Sequence, residues 1–279
     1  MSVCFDECVT AVEENLDKIL KGQGYPFREV CLYLSGQKGK FLRTKLGVTL
    51  AENQNGQINE NLINPLTAVE LLHLATLVQD DVIDNSAVRR GQKSVQNVFG
   101  KSTAIVTGDY LFTQCFSLIS ESDYKLLPLL SKAISLICKG EMRQNKNRFK
   151  SPTPLEYYRI ISGKTAALFS LCGVIGAKQI TDEENKIRQS ARLSHRVGMA
   201  FQIADDIKDF TGGHTDKPTE NDLPQGVITL PVILGSGDLA LGLKLANIKA
   251  NSYKTSAINL LDKVNPAAVP RFKSLIERI

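Results

Sequence analysis

The sequence predicts an all-α protein, one helical bundle spanning residues 1–279. Three observations predict it. Apolar residues recur at helical spacing along most of the chain, while β-branched alternation is rare. Glycine- and proline-containing breakers separate the periodic runs, and no linker, low-complexity tract or charge run divides them. With 279 residues and 43% hydrophobic content, the chain can bury a large core.

Taken in order, the first helix, 5–21, is amphipathic and acidic and stops at the breaker Gly22 to Pro26. A helix over 40–53 follows Ser35-Gly36-Gln37-Lys38-Gly39 and ends at Asn53 to Gln57. The next, 62–84, has Asn64 and Pro65 as a capping and first-turn pair. Helices at 102–120, 124–146 and 154–177 come next, the last opening after Ser151 to Pro154. A long helix, 182–211, ends at Gly212. Shorter ones at 227–235, 239–250, 253–263 and 266–278 are set off by Gly235 to Asp238 and by Pro266 and Pro270. The long central helices are apolar on more than one side, as bundle interiors require.

Composition narrows the function. A formal charge of +5 favours anionic ligands, but the cations are dispersed and no nucleic-acid motif appears. The six cysteines lack paired metal spacing, and most read as small buried hydrophobes, which suits a reducing cytoplasm. Met1 to Leu20 lacks the pattern of a signal peptide. The longest nearly apolar run, Ala166 to Ala177, is too short to cross a bilayer, so no transmembrane segment is expected.

The chemistry concentrates in Gln79-Asp80-Asp81-Val82-Ile83-Asp84 and in Phe201-Gln202-Ile203-Ala204-Asp205-Asp206-Ile207-Lys208-Asp209. Asp80 and Asp84 share a helix face, as do Asp205 and Asp209, with Gln202 on the latter face. Crowded carboxylates repel one another, so they stabilise no helix by themselves. Hard cations remedy this: Mg²⁺ takes oxygen ligands and bridges one or two carboxylates to substrate phosphates. Two such helices facing each other can hold several divalent ions around one diphosphate. Arg89 and Arg90 follow the first acids directly, and arginine suits bidentate phosphate recognition. His73 lies two turns earlier on the same face, about 10 Å along the axis. Lys40 and Arg43 stand one turn apart near a helix start, where backbone amides add to an anion site. Lys164 sits within an apolar helix, where an unpaired cation is costly, and so is expected to meet an anion. The polar loop with Lys217 and Asp222 follows the second acidic helix and is a candidate cover for phosphate. No nucleophilic serine or cysteine has a base at recognisable spacing.

In these ordered motifs the chain resembles the trans-isoprenyl (polyprenyl) diphosphate synthase family, over nearly its whole length. The matching pieces are Gly39-Lys40-x-x-Arg43, His73, Asp80-Asp81-x-x-Asp84, Arg89-Arg90-Gly91, Gly108-Asp109, Lys164-Thr165, Phe201-Gln202-x-x-Asp205-Asp206-x-x-Asp209, Lys217-Pro218, and Asp222 through Gly226 to Thr229-Leu230-Pro231. The resemblance implies antiparallel helices around a central cavity (the isoprenoid synthase fold), a homodimer and Mg²⁺ as cofactor. It implies that Asp80, Asp81 and Asp84, joined across the cavity by Asp205 with Asp206 and Asp209 in support, carry the metal for an allylic diphosphate. Arg89, Lys164 and Lys217 would contact that diphosphate. Lys40, Arg43, His73 and Arg90 would hold isopentenyl diphosphate, with Gln202 lining the site between and Thr165, next to Lys164, also binding substrate. Gln79, Phe41, Thr44 and Asp216 depart from residues common in the family. Ala75 and Thr76, both small, precede Asp80 by about a turn. They let a growing tail pass, which predicts a long product (about six to eight isoprene units), with Leu72, Phe112 and Phe116 as its floor. The competing readings are a C15–C20 synthase, a subunit of a heteromeric synthase, a terpene cyclase and a structural Mg²⁺-binding module.

Overall fold

A computed structural model describes residues 2–37, 39–212 and 225–279. The expected all-α architecture is present. In chain order the helices are α1 (Phe5–Lys21), α2 (Arg28–Ser35), α3 (Leu42–Ala51), α4 (Ile63–Ile83), α5 (Val95–Phe99), α6 (Lys101–Asp123), α7 (Leu127–Lys146), α8 (Pro154–Ile161), α9 (Ala167–Ala177), α10 (Glu184–Thr211), α11 (Leu230–Gly235), α12 (Leu239–Leu261) and α13 (Val269–Glu277). Two short antiparallel pairings complete it: Ser2–Val3 with Ile58–Asn59, and Val88–Arg89 with Gln92–Lys93.

The differences from the sequence reading are local and have causes. α2 and α5 were not expected; each is eight residues or fewer, too short to display a period. α3 begins at Leu42, not residue 40, because Phe41 takes a left-handed conformation (φ 49°). Residues 239–261 form one continuous helix, not two; the polar Asn251-Ser252 step lies on it without breaking it. The expected helix over 154–177 is interrupted by a π turn, Ser162–Ala166. There α7 crosses so closely that a Cβ on Gly163 would lie 2.5 Å from the Leu136 carbonyl oxygen. Single π turns of this kind concentrate at functional sites.

Three apolar clusters build the interior. α1, α2, α4, α6 and α7 supply most of the first, around Leu66, Leu71, Leu72 and Leu111. α3, α9, α10, α12 and α13 make the second, around Phe169 and Phe272. α8, α10, α11 and α12 make the third. Burial of this apolar surface is the main stabilising term. The segments Glu60–Ile83 and Pro154–Ala177 have the length and hydropathy of membrane-crossing helices, but 67% and 72% of their apolar windows are buried inside the bundle. They are core helices, and each carries part of the site: α4 the first acidic row, the π turn Lys164.

Candidate active site

The two acidic rows meet. Asp80 and Asp84 at the end of α4, and Asp205 and Asp206 on α10, line one cleft with Arg89, Lys164, Thr165, Gln202, Gln144, Tyr157 and Gln225. Its volume is about 950 Å³, part of it open to solvent. Leu77, Ile160 and Ile161 supply apolar wall.

Each side chain is held by a partner on another element. Lys164 Nζ stands 2.6 Å from Glu141 Oε2 on α7 and 3.8 Å from Asp80 Oδ2. Burial works against its charge, but Asp80, Glu141 and Asp84 outweigh this and raise its pKa. The lysine expected to meet an anion is therefore a fixed cation at the cleft wall. Thr165 Oγ donates to Gln202 Oε1 (2.6 Å), and Gln202 Nε2 donates to Asp206 Oδ1 (2.9 Å). Tyr157 Oη donates to Asp206 Oδ2 (2.5 Å). Asp206 is thus anchored through both oxygens. Asp205, one residue earlier, also faces the cleft.

Burial raises the Asp80 pKa to about 6, with Lys164 pulling it down and Glu141 and Asp84 pushing it up. Among the described residues no three acidic, histidine or cysteine side chains converge tightly enough to chelate an ion alone. Facing carboxylates that need further oxygen ligands fit a metal that completes its shell with water and substrate phosphate. The cleft-lining carboxylates that could hold such an ion are Asp80, Asp84 and Asp205.

Not every expected ligand reaches the cleft. Asp81 is 2% exposed, and its Oδ1 accepts from Arg89 Nε at 2.9 Å and Nη2 at 2.5 Å. It aims Arg89 and does not line the cleft. Asp209 is 4% exposed and lies below the lining. Lys217 lies outside the described residues, as do Asp222 and His214. Ala75 and Leu72 are 0% exposed, so no solvent-accessible channel touches them. Thr76 turns its hydroxyl to the His73 carbonyl, 2.8 Å away, and Phe112 packs against the first core cluster. The expected tail path is therefore closed in this structure, and Leu77 contributes α4's apolar wall instead. Phe116, the other floor candidate, is 38% exposed.

A second cleft, about 1120 Å³, adjoins α4 and is lined by Gln37, Gly39, Glu70, His73 and Arg90, with Glu13, Glu14 and Asp17 of α1 opposite. Arg90 Nη1 donates to the Gln37 carbonyl (2.7 Å), and its guanidinium covers Gly39, where a Cβ would lie 3.1 Å from Nη2. Burial, then Arg43, Arg90 and Arg89, hold the His73 pKa well below the ordinary histidine value, so the ring is neutral. Arg43 is stacked over Phe169 (4.8 Å to the ring centroid). Burial lowers its pKa, while Glu70, Cys172 and Asp205 oppose that effect. Lys40 is exposed, between the lining residues Gly39 and Phe41, and like Arg43 does not itself line the cleft. Arg89 and Arg90, adjacent in the chain, thus serve different clefts. Arg89 lies in the short strand pairing, and Arg90 is left-handed (φ 52°).

Sequence reasoning missed Glu141, Tyr157 and Arg148. Glu141 and Tyr157 sit inside apolar helices, where a lone polar residue was the available signal; Arg148 gave none. Asp109 is exposed, lies outside both clefts and accepts from Gln79 Nε2 (3.1 Å). His195 bonds Ser162 Oγ through Nε2 (2.8 Å) and is a satisfied interior histidine.

Residues 25–256 match the family described as Polyprenyl synthetase. The chain is 36% identical over 82% of its length to heptaprenyl diphosphate synthase component 2 of Geobacillus stearothermophilus, covering 73% of that protein. It superposes on heptaprenyl diphosphate synthase from Staphylococcus aureus with TM-score 0.88, 27% identity, and coverage of 99% of this chain and 98% of that one. A polyprenyl synthase from Caulobacter crescentus, solved with calcium and isoprenyl diphosphate, superposes with TM-score 0.85 and 25% identity, covering 97% and 94%. Extent of match, fold and the meeting of two acidic rows agree: the chain belongs to the polyprenyl synthetase family and is a trans-prenyl diphosphate synthase.

Proposed function

We propose that the chain, acting as one domain, condenses isopentenyl diphosphate with an allylic diphosphate and repeats the step to a product of about C30–C40. The supporting observation is the arrangement of two clefts along α4. One has acidic rows facing each other beside Lys164 and Arg89; the other holds Arg90 and neutral His73 near Gly39, across from the acidic face of α1. Asp80, Asp84 and Asp205 would hold Mg²⁺, which when bound would supply charge to the leaving diphosphate.

The chain's own residues do the rest. Lys164, fixed by Glu141, and Arg89, fixed by Asp81, present cations to the diphosphate whose C–O bond breaks. Preset donors of this kind spend no reorganisation energy during the step. Thr165 and Gln202 hold Asp206, and so the second row, at a fixed height. In the second cleft, Arg90 and neutral His73 hold the isopentenyl diphosphate so that its double bond faces the allylic carbon. Arg43 and Lys40 add charge behind and at the rim. New C–C bond formation leaves a proton to be lost, and the departed pyrophosphate is the base at hand. A tail longer than the cleft has to part α4 from α6, which small Ala75 and Thr76 permit.

We read the assembly as a homodimer. A heteromeric enzyme is the second reading, favoured by the component-2 relative. Incubating the purified chain with Mg²⁺, labelled isopentenyl diphosphate and farnesyl diphosphate, then sizing products, tests both. C30–C40 products support the proposal, and C20 products overturn its length. Activity only with an added subunit establishes the heteromer. Hydrocarbon from the allylic substrate alone overturns the condensation.

A further inference from the structure

Arg148 lies in the turn after α7, where no motif announced it. All three of its guanidinium nitrogens are used. Nε donates to Asn145 Oδ1 (2.8 Å), Nη1 to the Gln225 carbonyl (3.1 Å), and Nη2 pairs with Asp84 Oδ1. The arginine side chain is 20% exposed and that of Asp84 16%, so the pair is sheltered and stronger than a surface ion pair.

The next residue strengthens the connection. The Phe149 N–H donates to the Gly226 carbonyl (2.8 Å), and the Phe149 ring covers Gly226, where a Cβ would lie 2.7 Å from it. Phe149 itself is left-handed (φ 58°), a conformation that a bulky residue keeps only where its surroundings hold it. Arg148 and Phe149 together fasten three stretches: the end of α7, the end of the first acidic row, and the chain at Gln225–Gly226, which leads into α11.

Asp84 lines the cleft, and among the described residues only its Oδ1 is hydrogen-bonded. Oδ2 remains for a ligand. The other aspartates of that row are held differently, Asp81 by Arg89 and Asp80 beside Lys164. Carboxylates that ligate metals are themselves hydrogen-bonded by outer partners, and loss of such a partner commonly costs about 10- to 100-fold in metal affinity or activity.

We propose that Arg148 is a positioning residue for divalent-metal binding, fixing Asp84 so that one oxygen faces the cleft and tying it to the chain at Gln225. This rests on reading the cleft as the metal–diphosphate site. A nearby cation also repels a metal ion, so the sign of the effect is informative. Orientation predicts weaker metal binding without Arg148; mere competition predicts tighter binding.

The test is Mn²⁺ binding, followed by electron paramagnetic resonance with inorganic pyrophosphate present, on wild type, Arg148→Ala and Arg148→Lys. Circular dichroism checks folding. The Mn²⁺ midpoint is expected to rise about 10- to 100-fold in the alanine variant. Lysine keeps the charge but replaces a three-way fork with a point donor, so its midpoint falls between the two. In turnover, the KM for the allylic diphosphate rises at low Mg²⁺ while kcat at saturating Mg²⁺ changes by less than about threefold. Should Arg148→Ala not fold, the lysine variant decides. A wild-type midpoint in a folded variant, or a lower one, overturns the proposal. Wild-type protein that binds Mn²⁺ tightly yet condenses nothing would instead overturn the proposed function and leave Arg148's role standing.

Discussion

Gly140 offers a way to move Lys164, the cation of the acidic cleft, without touching it. It lies on α7 where that helix crosses the π turn. A Cβ placed there would lie 2.3 Å from the Lys164 backbone nitrogen and 2.9 Å from the Ile160 carbonyl oxygen, against ordinary contact at 3.4 Å or more. Both atoms are backbone and cannot rotate away, so Gly140→Ala must part the two elements by roughly 1 Å, a displacement that can cost about 10²-fold in rate. Two effects on stability oppose each other. Overpacking costs about 1–3 kcal/mol. Alanine in a helix regains about 1 kcal/mol over glycine. Melting should therefore drop modestly, while kcat/KM drops about 10²-fold, because Lys164 sits only 3.8 Å from Asp80 and its placement is what the crossing sets. Gly24→Ala is the control, since a Cβ there meets nothing within 4 Å. A Gly140→Ala enzyme with wild-type kcat/KM and melting temperature would refute the claim that this crossing places the lysine.

Further outcomes follow from the same geometry. Lys164→Met strands buried Glu141 and should cost about 3–5 kcal/mol. Adding Glu141→Leu should restore most of the melting temperature but leave turnover depressed about 10²–10³-fold, which thermal scans beside initial rates will show. Asp80, with its pKa raised to about 6, stabilises the metal-free protein fully below its unfolded value and loses that contribution as pH rises through about 6. Chemical denaturation without metal across that interval should show the fall in wild type and its absence in Asp80→Asn. Ala75→Phe should shorten the product by filling the seam between α4 and α6 at a cost of about 1–3 kcal/mol; unchanged product lengths would reject the proposed tail path.

The acidic rows were legible because a repeated Asp-Asp-x-x-Asp on apolar helices has no structural use by itself, and the cleft contains Asp80, Asp84 and Asp205 from the expected faces, with Asp206 in place of Asp209. Lys164 was legible for a related reason: a cation inside an apolar run demands a partner. The sequence could not show which carboxylates point inward. Asp81 and Asp209 have the same residue type and nearly the same context as the others, but the bundle's packing commits one to Arg89 and buries the other. Glu141 and Arg148 act across long separations in the chain, on Lys164 and on Asp84 with Gln225, and no local period records such pairings. The π turn was equally hidden, because it arises where two glycine-bearing helices cross.

The short hairpin after α4 carries one further consequence. Since Arg89 and Arg90 are chain neighbours that line different clefts, a single backbone unit joins the two. A change of backbone within the six residues from Val88 to Lys93 would therefore shift both guanidinium groups together, which no other hairpin among the described residues could do.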